Sequence, residues 1–136
     1  MHERFEHTAD LGLRIRAANL DELFAEAGRA LTATLVTDVA SIRPTTRRQF
    51  DMDGDDIEYL LVDWLREVLY VFDVERLLLS KFQVTVCKEG LTAIAQGEVF
   101  DSNRHELQHE IKAVTYHALK VQETDAGWLA EVIVDI

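Results

Sequence analysis

His105-Glu106-Leu107-Gln108-His109 is the part of the sequence that most resembles a catalytic motif. In zinc proteases, two histidines one helical turn apart bind the metal and the intervening glutamate activates water. Here the motif follows the loop-forming residues 101–103, no apolar helix precedes it, and no third ligand stands at the extended spacing. The alternative is a polar surface segment in which two histidines happen to fall four residues apart. We favour that alternative and keep a zinc hydrolase as the other interpretation.

Acidic residues between Asp51 and Glu58 resemble a calcium-binding loop, but the match is incomplete. An EF-hand needs glycine at its sixth position and a carboxylate at its twelfth. Counted from Asp51, those positions hold Asp56 and Val62, so we reject the EF-hand and assign the run to a turn and a helix cap. Cys87 has no C-x-x-C partner, which favours a structural thiol over a nucleophile.

The end of the chain keeps the alternating pattern of a strand up to its last residues. Residues 132–136 read Val-Ile-Val-Asp-Ile, which would hold the α-carboxylate of Ile136 beside the side chain of Asp135. Most chains end in a few disordered residues instead. The plain alternative is that the chain stops at its last strand and that these carboxylates have no role.

Two helices are predicted to position these groups. Asn19, followed three residues later by Glu22, begins an amphipathic helix that extends to Leu35. Residues 54, 55 and 58 form a second cap of the same kind, and the helix after it has a wide apolar arc that runs to Phe72. We expect the core to be built around this second helix.

The remaining segments have the period of strands. Residues 5–17 alternate apolar side chains with Arg14 and Arg16, and Asp10 shares the polar face of those arginines. Residues 42–52 contain Pro44 and read as an edge strand. Hairpins are predicted over residues 82–100 and 113–136, and residues 101–110 as a loop or short helix. This pattern predicts an α+β fold with largely antiparallel strands, in one domain over residues 1–136.

Composition narrows the class of partner. The chain has 14 basic and 25 acidic residues, a net charge of -11, which disfavours direct binding to nucleic acid and favours a basic protein partner. No apolar run approaches the roughly 20 residues of a membrane span, so we expect no membrane association. A single cysteine and the lack of a secretory leader indicate a cytoplasmic protein.

Motifs along the whole chain resemble the archease family. They comprise Glu6-His7-Thr8-Ala9-Asp10 with Gly12, Leu60-Leu61-Val62-Asp63-Trp64-Leu65, Leu69-Tyr70-Val71-Phe72-Asp73, Gly97-Glu98, Asp101, Arg104-His105, residues 110–117, Gly127-Trp128 and Val134-Asp135-Ile136. They occur in the family's order with compatible spacing. Because Arg104-His105 belongs to this set, the zinc-protease match is best explained as accidental.

The resemblance implies an accessory protein and not an enzyme. Archeases activate the RtcB-type RNA ligase of tRNA splicing by promoting its guanylylation with GTP and its multiple turnover. The family also includes a chaperone-like modulator of a tRNA methyltransferase, which gives an alternative function. We therefore expect the ligase as a partner, with the methyltransferase as a second candidate.

The resemblance also implies a calcium site, carried over here by position to Asp10, Asp135 and Ile136, and a functional lysine at Lys112. Carboxylate oxygens suit calcium, with magnesium or manganese as alternatives, and suit zinc poorly. Close carboxylates without a cation raise one another's pKa. The alternatives are a turn carboxylate for Asp10 and a solvated amine for Lys112.

Overall fold

A computed structural model describes residues 1–7 and 10–136, and the side chains of Glu6 and His7 are not described. Its elements follow in the order β1 (His2–His7), β2 (Asp10–Ala17), α1 (Leu20–Leu35), β3 (Thr46–Asp53), α2 (Ile57–Glu75), β4 (Leu77–Cys87), β5 (Gly90–Val99), β6 (Ala113–Val114), β7 (Lys120–Thr124) and β8 (Gly127–Asp135). This arrangement confirms the predicted α+β class.

Every described strand pair is antiparallel, in two sheets. The larger sheet has the order β1-β2-β8, and both β6 and β7 pair with the remaining edge of β8. The smaller sheet has the order β3-β5-β4, so β3 lies at an edge as predicted. Pairing of β2 with β8 places the first long strand beside the last one.

Local side-chain capping sets where both helices begin. The side chain of Asn19 accepts a hydrogen bond from the backbone N–H of Glu22 at 2.9 Å, which confirms the predicted start of α1. At α2 the predicted cap Asp55 is wrong by one residue. Asp56 caps this helix, because its carboxylate accepts from the N–H groups of Glu58 and Tyr59.

Trp64 of α2 lies at the centre of the hydrophobic core and is fully buried. Its indole N–H donates to the carbonyl of Phe24 at 2.9 Å, which ties α2 to α1. The rings of Phe50 and Phe82, from the smaller sheet, meet the indole edge to face at 5.3 and 6.0 Å. One residue thus joins both helices and a sheet, as expected for the helix around which the core is built.

Three predicted strands differ from the structure. The strand predicted over residues 5–17 is two antiparallel strands, β1 and β2. The strand predicted from Ala113 is divided into β6 and β7, because Ala118 has a left-handed backbone (φ 52°) that interrupts the extended chain. The edge strand begins at Thr46 rather than 42, since Ile42 closes a short 3-10 turn and Pro44 has no N–H to donate.

Candidate metal centre

Asp10 and Asp135 face each other at one end of the larger sheet. In the antiparallel pairing of β2 with β8, Asp10 stands directly opposite Asp135. Directly paired residues project their side chains to the same face of a sheet. The fold therefore brings together two carboxylates from opposite ends of the sequence, which the sequence alone left open.

The two carboxyl groups interact. A hydrogen bond with Asp10 is the main cause that raises the pKa of Asp135, and burial and the charge of Asp10 raise that pKa further. The ammonium group of Lys112 acts in the opposite direction and lowers it. A cation bound by both carboxylates would offset the repulsion between their negative charges, so the pair would not need to share a proton.

Ile136 follows this pair, and its half-buried side chain packs against the core. That contact anchors the residue whose main-chain oxygens would complete a cation site. Among the described residues, no group of three or more His, Cys, Asp or Glu side chains is placed to hold a metal. A site here therefore needs main-chain oxygens beside the two carboxylates, and a donor set made only of oxygen fits calcium, magnesium or manganese.

Lys112 lies next to the acidic pair. Its backbone N–H donates to the carbonyl of Asp135 at 2.8 Å, and Ala113 pairs with Asp135 in the sheet. The side chain is exposed, so its ammonium group is accessible to a partner. The structure thus groups all four site residues proposed from the sequence.

An open groove of about 660 Å³ borders this site, between the end of α2 and residues 107–112. Asp73, Arg76, Glu110 and Lys112 are among its lining residues. Burial raises the pKa of Asp73, the Arg76 guanidinium lowers it, and the charge of Glu110 raises it. The groove therefore carries both signs of charge on a lining that also includes apolar side chains.

The opening motif can be followed only in part. Thr8 and Ala9 lie outside the described residues, while the backbone of His7 pairs with Asp10 in the β1–β2 ladder. Asp10 is thus the first residue of β2, next to the segment that joins the two strands.

His105 and His109 do not have the geometry of a zinc-protease motif. Residues 105–109 are non-helical, and Leu107 instead forms a bridge with Val36. His105 is buried: its Nδ1 accepts from the N–H of Asp101 at 2.9 Å, and its Nε2 lies 2.8 Å from Glu98. Both ring nitrogens of His105 are occupied, so this arrangement does not support a zinc hydrolase.

Glu98 was not singled out as a functional or structural centre from the sequence. It is buried, and it accepts from the backbone N–H of Arg43 at 2.9 Å and from the guanidinium of Arg104. The sequence feature that could have indicated its role is the pair Gly97-Glu98, followed closely by Arg104-His105. These contacts fasten the loop after β5 to the sheet, and that loop leads directly to Lys112.

The fold and the site together define a class of small α+β protein, in which two helices and two antiparallel sheets join carboxylates from the first and last long strands. The chain belongs to the archease family: residues 2–136 match the Archease protein family (MTH1598/TM1083).

Several proteins named "Protein archease" are similar to it over nearly their full lengths. The chain is 38% identical to the one from Methanopyrus kandleri, over 98% of each chain. It is 39% identical to the one from Sulfurisphaera tokodaii, over 98% of this chain and 97% of the other. The solution structure of Methanobacterium thermoautotrophicum protein 1598 has a TM-score of 0.88 and 33% identity, over 99% of this chain and 98% of that one. These similarities confirm the predicted family and fold.

Within the described ranges, neither long helix is apolar enough over a sufficient length to cross a membrane.

Proposed function

We propose that this protein is a non-catalytic activator of an RtcB-type tRNA-splicing RNA ligase, which it helps to become guanylylated and to turn over repeatedly. The activation uses a divalent cation held by Asp10, Asp135 and Ile136. The observation that carries this proposal is the placement of Asp10 opposite Asp135, which the family resemblance requires and which depends entirely on folding.

The chemistry of the partner explains why such a site would help. Guanylylation transfers GMP from GTP to the ligase and releases pyrophosphate, so negative charge must be neutralised around the reacting phosphate. Phosphoryl transfer depends mainly on positioning and charge, and a divalent ion, when bound, would supply that neutralisation. Asp10 and Asp135 would hold the ion at the end of the sheet, where a second protein can reach it.

Lys112 has a different role in this proposal. Its ammonium group lies near the carboxylates and lowers the pKa of Asp135, which favours the charged form that binds a cation. Because the side chain is exposed, the same group can contact a phosphate or a carboxylate of the partner. We assign it to partner contact rather than to cation binding, since an ammonium has no lone pair to offer a metal.

The net charge of -11 supports a protein partner over free RNA, because phosphates are repelled by an acidic surface. We place the activity in the cytoplasm, and the modulation of a tRNA methyltransferase stays a prediction from the resemblance.

A guanylylation assay tests this function. The ligase is incubated with GTP labelled at the α-phosphate, with substoichiometric amounts of this protein, and labelled ligase and sealed RNA are followed. Wild-type protein should raise the amounts of labelled ligase and of sealed RNA above those obtained with ligase alone. The variants Asp10→Asn and Asp135→Asn should not raise them. Asp51→Asn is the matched control, because Asp51 is an exposed acid on the smaller sheet. Normal stimulation by both site variants would show that the proposed metal site is wrong.

A further inference from the structure

One outer face, formed by a stripe of α2 and by Tyr116 beside it, carries most of the large apolar side chains that are exposed among the described residues. Among the described residues, seven large apolar side chains are exposed, and four belong to this face: Tyr59 (57%), Tyr70 (58%), Val74 (60%) and Tyr116 (46%). Tyr59, Tyr70 and Val74 recur at helical spacing, and Tyr116 lies against Tyr59. We call this set, together with Arg66, the tyrosine face.

The centre of the tyrosine face is held in one arrangement. The rings of Tyr59 and Tyr116 meet edge to face at 5.4 Å, and the Arg66 guanidinium lies 4.5 Å from the centre of the Tyr116 ring. Arg66 also donates to the Tyr116 hydroxyl at 2.9 Å and to the carbonyl of Val114 at 3.0 and 3.1 Å. Side chains that are already ordered lose little entropy when a partner binds.

Its composition is that of a protein-binding surface. Tyrosine and arginine are enriched among the residues that dominate the free energy of protein association. The core of α2 needs none of these side chains, because they lie on the opposite side of the helix from the buried Trp64 and Leu65. Exposed apolar side chains gathered on one face indicate an interaction site more strongly than isolated ones do.

Charge identifies the chemistry of the partner. Asp63 falls within the same helical stripe, and Asp73 and Glu67 flank it. The only basic member, Arg66, already has internal partners at Tyr116 and Val114. With the overall charge of -11, this surface fits a protein that presents basic side chains around an apolar patch.

The tyrosine face is continuous with the candidate metal centre. Arg66 holds the carbonyl of Val114 in β6, and the neighbouring residue Ala113 pairs with Asp135. Tyr70 and Lys112 also line the same hollow of about 270 Å³. A protein bound on this face therefore lies beside Asp135.

We propose that the tyrosine face is the surface by which this protein docks on its partner ligase. On the ligase, it would contact a patch of basic side chains that surround an apolar centre. The inference rests on the function proposed above and adds a separation of roles: the tyrosine face supplies affinity, and the acidic pair supplies activation. Docking here would bring the cation site against the partner.

Binding and stimulation measured separately test this division. The double variant Tyr70→Ala with Val74→Ser should weaken binding to purified RtcB-type ligase on the order of tenfold or more in calorimetry. Stimulation should return at high concentration. Asp63→Lys should also weaken binding, most at low salt. Val99→Ser removes an equally exposed valine (57%) outside the face and should bind like wild type. Asp10→Asn should bind but not stimulate.

Each outcome decides a different point. If wild type binds and stimulates and the tyrosine-face variants do the same at equal concentration, the docking surface is wrong and the proposed function stands. If wild type neither binds nor stimulates, the proposed function fails and this inference fails with it. If wild type is a dimer in solution and the double variant is a monomer, the face joins two copies of this chain and the ligase proposal is overturned. Unchanged thermal midpoints confirm that the variants fold.

Discussion

Nε2 of His105 lies 2.8 Å from Oε1 of Glu98, and both side chains are buried. Because Nδ1 of the same ring accepts a hydrogen bond from the N–H of Asp101, the proton of a neutral His105 ring is on Nε2 and is donated to Glu98. Hydrogen bonds to the Arg104 guanidinium, then to the Arg43 N–H and His105, outweigh burial and lower the pKa of Glu98 to about 2.

This lowered pKa predicts a dependence of stability on acid. The folded-state pKa is below the unfolded value, so the stabilisation by Glu98 is complete above about pH 4.5 and is lost as the pH falls towards about 2. Glu98→Gln should cost about 2 kcal/mol at pH 7, because a hydrogen bond to a charged group is replaced by a neutral one. Urea unfolding between pH 7 and 2.5 should show that the free energies of unfolding of wild type and Glu98→Gln become more similar in acid. A difference that stays constant with pH would contradict the lowered pKa of Glu98.

The two histidines of the His105–His109 motif should respond differently to substitution. His105→Ala leaves the buried carboxylate of Glu98 and the half-buried N–H of Asp101 with one partner fewer, and should lower the free energy of unfolding by about 3 kcal/mol. His109→Ala should cost about 0.5 kcal/mol, because within the described part of the chain only the backbone N–H of His109 forms a hydrogen bond, to the carbonyl of Thr34. Thermal unfolding checks the two expected losses of stability, and elemental analysis measures the zinc content. If wild type contained stoichiometric zinc and both variants had lost it, the hydrolase interpretation would be restored.

Cation removal should lower stability only when the acidic pair is intact. Calcium at 100 times its Kd should stabilise wild type by about 2.7 kcal/mol, and a chelator should reverse this. Asp10→Asn and Asp135→Asn should lose the response, whereas Asp51→Asn should keep it, because only the first two stand opposite each other. Differential scanning calorimetry with calcium, magnesium and manganese also ranks the ions. An equal shift in all four proteins would indicate non-specific binding.

Gly97 should not tolerate a side chain. A Cβ at this position would lie 1.7 Å from the carbonyl oxygen of Leu78, so the backbone of β4 would have to move near the register shift between Leu79 and Lys81. Gly97→Ala should destabilise the protein by about 3 kcal/mol. Gly54→Ala is the control, because its nearest contact is a Leu60 methyl at 3.3 Å that can move aside. Equal denaturant midpoints for Gly97→Ala and Gly54→Ala would contradict this difference.

Elements with a local sequence signal were predicted correctly. Asn19 caps α1, the hairpin of β4 and β5 follows from alternation around a turn, and β3 lies at an edge beyond Pro44. Strands in which a continuous extended pattern contains a break were predicted wrongly. The left-handed Ala118 divides a predicted strand, and alanine gives no sign of that conformation in the sequence.

The family, the α+β class and the acidic character could be inferred from the residues alone, and the four residues of the candidate site were proposed from the family resemblance. The position of Asp10 opposite Asp135 required the folded structure, because the pairing of β2 with β8 joins segments with no local signal between them. The same holds for the tyrosine face, since Tyr116 reaches Tyr59 and Arg66 only after β6 has docked beside β8. The sequence specifies the chemistry of each side chain, but the distances between residues far apart in the sequence depend on how the elements pack.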